Sequence, residues 1–174
     1  MNNLTLFCCT QPEGFDGNKQ SVEVCMIYFN DLTHRIFKGL KMHCYFNSNV
    51  PTPRYVIDEG IIVMPDFDNF RSKEEYLTCF FHEACHWTGG FARLNRFMRY
   101  GYGSLIPFMP YEEIVAEVGS IRISNNVGVE PNIEDSTNFI KAWGHYGNLS
   151  RTDISNAVED GKAAGNYVLS RFLG

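Results

Sequence analysis

Long apolar runs are missing from this sequence. None approaches the roughly 18 residues that a membrane-spanning helix needs, so the chain is expected to have no membrane segment. Met1 to Thr10 has neither the basic start nor the extended apolar stretch of a secretion signal, which points to the cytoplasm. Positive charge is also short: 15 Lys and Arg stand against 20 Asp and Glu, for a net charge of −5. That balance argues against a general nucleic-acid binder, which presents a basic footprint, while leaving room for a local basic patch. Internal repeats and low-complexity tracts are absent, excluding solenoid architectures. Cysteine is not scarce, with six, but nothing marks the chain for secretion. Free, buried thiols in a reducing compartment are therefore expected, with Cys79 and Cys85 on the apolar side of a helix. Cys25, His34, His43 and Cys44 match no zinc-finger or knuckle spacing.

What is present is a 174-residue chain with 44% apolar residues, enough for one domain with a substantial core. Its organising stretch is Phe81-His82-Glu83-Ala84-Cys85-His86-Trp87-Thr88-Gly89. Residues four apart on a helix share a face, so His82 and His86 can aim two imidazole nitrogens at one zinc ion. Glu83 lies beside that point, where a carboxylate can take a proton from a metal-bound water. The competing reading is two polar residues on a solvated face. Helicity is supported by the flanks. Ser72-Lys73-Glu74-Glu75 has the form of a capping box, and Tyr76, Leu77, Phe80, Phe81, Ala84 and Cys85 recur at helical spacing. Gly89-Gly90 offers left-handed positions to end the helix. The spacing predicts a helix over residues 73–88.

A catalytic zinc ion usually takes three protein ligands, leaving a position for water. The third is expected from Pro110-Tyr111-Glu112-Glu113-Ile114-Val115-Ala116-Glu117-Val118-Gly119. Glu113 and Glu117 share a helical face while Ile114, Val115 and Val118 face a core. Glu113 is assigned to the metal, and Glu117 to a hydrogen bond from the far nitrogen of a ligand histidine. An ordinary acidic first turn is the competing reading, and it suits Glu112.

Here the residues resemble a known family. Tyr55-Val56-Ile57, Ile61-Ile62-Val63-Met64-Pro65 and Phe70-Arg71-Ser72-Lys73-Glu74-Glu75-Tyr76 are similar to the zincin-like metallopeptidase domain of ArdC-type antirestriction and phage polyvalent proteins. So are the His82–Gly89 stretch, Arg93-Leu94-x-Arg96 and Glu112-Glu113-Ile114-Val115-Ala116-Glu117. The resemblance covers the chain from about Tyr55 onward. It implies an α+β, gluzincin-like domain, a small sheet packed on the active helix with further C-terminal helices. It also implies zinc on His82, His86 and a downstream Glu, with Glu83 as catalytic base. Other metallopeptidases have Asp where this chain has Glu117. The ArdC family's separate N-terminal single-stranded-DNA-binding domain finds no match in residues 1–50. One domain, 1–174, is expected, with 1–50 an extension of unrecognised type and 51–174 the metallopeptidase core.

Elsewhere, Leu4–Cys9, Ser21–Phe29 and Met42–Phe46 read as strands, and Asp31–Leu40 as a short helix. His43 is expected to alternate outward. Tyr55–Ile57 and Ile61–Met64 read as a hairpin around Asp58-Glu59-Gly60, with Ile61–Met64 either a substrate-pairing edge strand or a structural one. Arg93, Arg96 and Arg99 recur every three residues among aromatics. They either contact substrate or nucleic acid, or form a solvated face bonding backbone carbonyls. The Gly/Pro-rich stretch before Pro110 is where a lid would sit. Ser136 and Ser150 are expected to open two further helices. His145 and Tyr146 are candidates for oxyanion or substrate contact, against a plain surface reading.

The function this points to is zinc-dependent peptide hydrolysis with Glu83 as general base, on a protein substrate such as a host defence protein. The setting would be phage or plasmid antirestriction. The alternative is a zinc-stabilised antirestriction protein that binds a host protein or DNA without cutting it. A structural zinc is the weakest reading, since such sites are closed by four ligands and usually include Cys.

Overall fold

The computed structural model describes residues 39–40, 42–47, 49–99 and 105–173. The expected strands at 4–9 and 21–29, most of the 31–40 helix, and Cys25 and His34 lie outside the described residues, as do positions 100–104 of the Gly/Pro-rich stretch.

Three strands form one sheet: β1 (His43–Phe46), β2 (Arg54–Val56) and β3 (Ile61–Met64), in the order β1-β3-β2. β3 is apolar throughout because both its faces are covered. Ile62 and Met64 join the main core with Cys44 and Tyr55, while Ile61 and Val63 pack with Val50 on the opposite side. β1 runs parallel to β3, pairing His43 with Ile61 and Phe46 with Met64, and β2 runs antiparallel to it. His43 is exposed, as expected. This order corrects the edge-strand expectation. β3 has a neighbour on each side, so among the described residues β2 and not Ile61–Met64 is an edge of this sheet. The sheet draws strands from both sides of the expected boundary at residues 50–51. The hairpin loop starts one residue earlier than expected, at Ile57, whose side chain packs on the core.

Helix α1 spans Lys73–Thr88. Ser72 caps it, its hydroxyl accepting from the Glu75 amide at 3.1 Å. The reciprocal arm differs from a simple capping box. The Glu75 carboxylate accepts from the Arg71 backbone N–H at 2.6 Å and from its Nε at 2.9 Å, so it closes one residue upstream. Ser72→Ala should cost about 1 kcal/mol in urea unfolding; no change would show that Arg71 and Glu75 alone hold this end. All six expected stripe residues are buried. The helix end is another correction. Gly89 has φ −69°, a right-handed value, and Gly90 is not left-handed either. Glycine is needed at position 89 for space, since a Cβ there would lie 2.6 Å from the Phe97 ring.

Beyond α1 come α2 (Arg96–Arg99), α3 (Leu105–Val127), α4 (Ile133–Tyr146) and α5 (Arg151–Leu173). α3 starts before the expected Pro110, which sits one turn inside it, and Gly128 at φ 73° follows its end. α4 opens at Asn132, whose side chain accepts from the Asp135 amide at 3.2 Å; the expected opener, Ser136, lies within the first turn. α5 opens as expected: Ser150 Oγ accepts from the Asp153 amide at 3.1 Å, and Asp153 accepts from the Ser150 amide at 2.9 Å. α1 is packed between the sheet on one side and α3 and α5 on the other. That sandwiching explains why its second half is buried on every face. Cys85 is a buried free thiol, Cys79 a half-buried one, and Cys44 is buried in the core. Among the described residues, no helix is long and apolar enough to cross a membrane.

Candidate metal centre

His82 and His86 leave α1 on one face, and α3 crosses opposite them with three acids. Neighbouring residues on a helix are about 100° apart, so Glu112 and Glu117 fall on either side of Glu113. Each acid meets a different nitrogen. Glu117 accepts from His82 Nδ1 at 3.0 Å, and Glu112 accepts from His86 Nδ1 at 3.4 Å. Both rings therefore turn Nε2 inward. These two nitrogens stand 3.2 Å apart, His82 Nε2 lies 3.3 Å from Glu113 Oε2, and His86 Nε2 lies 3.6 Å from Glu113 Oε1. Among the described residues, His82, His86 and Glu113 form a group that could hold a metal ion.

Does this donor set fit a cation? Ligand atoms about 2.0–2.1 Å from one tetrahedral ion stand about 3.3 Å apart, which matches the observed spacing. With both Nδ1 atoms donating outward and the rings neutral, as a bound cation requires, two imidazole lone pairs and a carboxylate would face one another. Glu113 Oε1 is buried without a hydrogen-bond partner among the described residues. Such a polar atom is costly unless satisfied, and a cation satisfies all three at once. In the metal-free chain, burial by itself lowers the His82 pKa. The Glu113 and Glu117 carboxylates outweigh it and hold the group well above the ordinary imidazole value.

Glu83 points elsewhere, as its place one step along α1 requires. It is 2% exposed, lines a cavity of about 520 Å³, and accepts a hydrogen bond from the Tyr55 backbone amide of β2. Burial pushes its carboxyl above the ordinary value, against the opposing pull of His86 and His82. Pro53, His82, Glu117, Ser136 and Phe139 line the same cavity, and the Phe139 ring meets His82 edge-on at 5.7 Å.

A family model for the zincin-like metallopeptidases matches residues 35–159. The chain belongs to that family. Two DNA primases TraC of Escherichia coli share 26% and 27% identity with this zincin-like chain over 109 residues, 63% of it but only 7% and 10% of their own lengths. Among solved structures, the metal-free antirestriction ArdC protein of plasmid R388 superposes with a TM-score of 0.68 at 23% identity, over 83% of this chain and 52% of that one. Its Mn(II)-bound form gives 0.63 at 22% identity, over 82% and 52%. At this identity the likeness establishes a shared fold. The chain spans about half of ArdC and a tenth or less of the TraC primases.

Within this zincin-like site, Arg96 is enclosed by the fold. It is 1% exposed, pairs with Glu112 at 2.6 Å, and donates to Thr88 Oγ1 and the Cys85 carbonyl. Its neighbours at the same spacing go separate ways. Arg93 covers the Trp87 ring at 4.1 Å and donates to the Trp87 carbonyl and Tyr55 Oη, and Arg99 pairs with Asp160 at 3.1 Å. These three arginines make no shared basic face, because each guanidinium meets a different partner. His145 and Tyr146 are exposed, Tyr146 at 78%, and neither lines the cavity. Glu112 is the residue the sequence reading undervalued. Burial alone raises its pKa, but the Arg96 charge and the bonds from His86 and Arg96 hold it below the ordinary value. The doubled Glu112-Glu113 opposite two histidines was the available signal. Ser136, hydrogen-bonded to Glu117, had none.

Proposed function

We propose that this zincin-like chain is a zinc-dependent peptide hydrolase acting on a host defence protein, in an antirestriction setting in the host cytoplasm. The observation that carries the reading is the convergence of His82 Nε2, His86 Nε2 and the Glu113 carboxylate, with Glu83 lining one cavity together with His82. His82, His86 and Glu113 would hold the ion, and a set of two imidazoles and a carboxylate suits zinc. When bound, the ion supplies Lewis acidity toward a carbonyl and lowers the pKa of water to about 7. Glu83 Oε takes the proton of the attacking water and returns it to the leaving amine. The Tyr55 amide holds the Glu83 carboxylate in place, and Phe139 shields the His82 ring from water. The β2 strand, packed beside α1, is our candidate for pairing with an extended substrate. Support for the antirestriction setting comes from the ArdC fold shared by this chain, and support for a divalent ion from the Mn(II) form of that protein.

Purified protein loaded with zinc and added to a bacterial lysate should generate new protein N-termini, counted by mass spectrometry. Glu113→Gln should generate none. Zinc at 100 times its Kd should stabilise the wild type by about 2.7 kcal/mol and leave Glu113→Gln unmoved. A zinc-bound wild type that yields no new N-termini would overturn hydrolysis and favour a protein that works by binding.

A further inference from the structure

Arg96 stands on α2, a single helical turn, and is among the largest fully buried side chains. All three of its guanidinium nitrogens are engaged. Nε donates to Glu112 Oε2 at 3.0 Å and Nη2 to Glu112 Oε1 at 2.6 Å, a two-pronged grip that fixes the plane of the carboxylate. Nη1 donates to Thr88 Oγ1 at 2.9 Å and Nη2 to the Cys85 carbonyl at 2.8 Å. One side chain thus ties the last turn of α1, which carries His86, to the acid that faces the His86 ring.

We propose that Arg96 is a positioning residue for metal binding. By fixing the Glu112 carboxylate against His86 Nδ1, it keeps that ring's Nε2 bare and turned toward His82 and Glu113. The proposal rests on reading His82, His86 and Glu113 as a metal centre.

The two histidines are held in unlike ways, and this is what singles Arg96 out. Glu117, at the cavity, meets His82 Nδ1 at 3.0 Å and is itself bonded by Ser136. Glu112, fully buried, meets His86 Nδ1 at only 3.4 Å. A contact that long does little by itself to hold a three-torsion side chain in one orientation. The guanidinium provides the constraint that the ring contact lacks. Burial alone gives no account of a charge pair here, because apolar residues of similar volume commonly replace such pairs without loss of stability. Holding His86 in one tautomer and one orientation does account for it.

The test uses the full chain, with zinc affinity measured by chelator competition. Arg96→Met should weaken zinc binding about 10–100-fold. Arg96→Lys should fall between, since an ammonium cannot grip both carboxylate oxygens in one plane. Arg99→Met removes the other arginine of α2, which pairs with Asp160, and should leave zinc affinity unchanged. Equal affinity in Arg96→Met and wild type overturns the proposal. A second measurement needs no substituted protein to fold. In metal-free wild type, long-range proton–nitrogen correlation NMR should show His86 protonated at Nδ1, and a ring protonated at Nε2 alone overturns the proposal. A wild type with no affinity for zinc sinks the metal centre instead, while the tautomer still decides the link between Glu112 and His86.

Discussion

Glu83→Gln protein should bind zinc as tightly as the wild type and hydrolyse peptide about 10²–10⁴-fold more slowly, the range for loss of a positioned acid–base group. The substitution preserves volume and leaves a side-chain oxygen to accept from the Tyr55 amide. What it removes is the capacity to take a proton. Glu83 is not one of the three residues whose donor atoms converge, so zinc content should stay the same. Three measurements on the same preparation check this: zinc per chain, urea midpoint, and turnover of a peptide substrate found by the N-terminal survey. Retained turnover would remove Glu83 from the role of base. Protection of incoming DNA in cells then separates hydrolysis from binding. If Glu83→Gln protects as well as wild type and His82→Ala does not, the chain works by metal-supported binding.

Gly161→Ala should destabilise the protein by about 1–3 kcal/mol, the usual cost of overpacking. Helix propensity alone predicts the reverse, a gain of about 0.8–1.0 kcal/mol for Ala over Gly inside a helix. The structure decides between them. A Cβ on Gly161 would lie 2.7 Å from Val118 Cβ and 2.8 Å from the Val115 carbonyl oxygen. A side chain can turn aside, but a backbone carbonyl moves only with its helix. Here that helix is α3, between Glu113 and Glu117. Zinc affinity should therefore fall together with the urea midpoint. A more stable Gly161→Ala protein would show that α3 and α5 are less closely packed than these distances require.

The start of α1 and the opening of α5 were legible because local chemistry sets them. A serine hydroxyl and a carboxylate within one turn satisfy the backbone groups that any helix start exposes. His82, Glu83 and His86 were legible as a set for a related reason: their spacing coincides with the helical repeat. The edge of the sheet was not legible. Which strand lies outermost depends on where β1 pairs, and a run such as Ile61–Met64 reads alike at an edge and at the centre. The roles of the arginines were hidden in the same way, since equal spacing in sequence sent Arg93, Arg96 and Arg99 to three unrelated partners.

By itself, then, the sequence determined the active-helix candidate, the acid-bearing helix and the class of chemistry they suit, all set by contacts within a few residues. Only the tertiary structure decided that Glu112 turns inward, that Arg96 stands behind it, and that His145 and Tyr146 stay outside. Those outcomes depend on how α1, α2 and α3 cross. A crossing is settled by close packing over the whole core and leaves no local trace in any one segment.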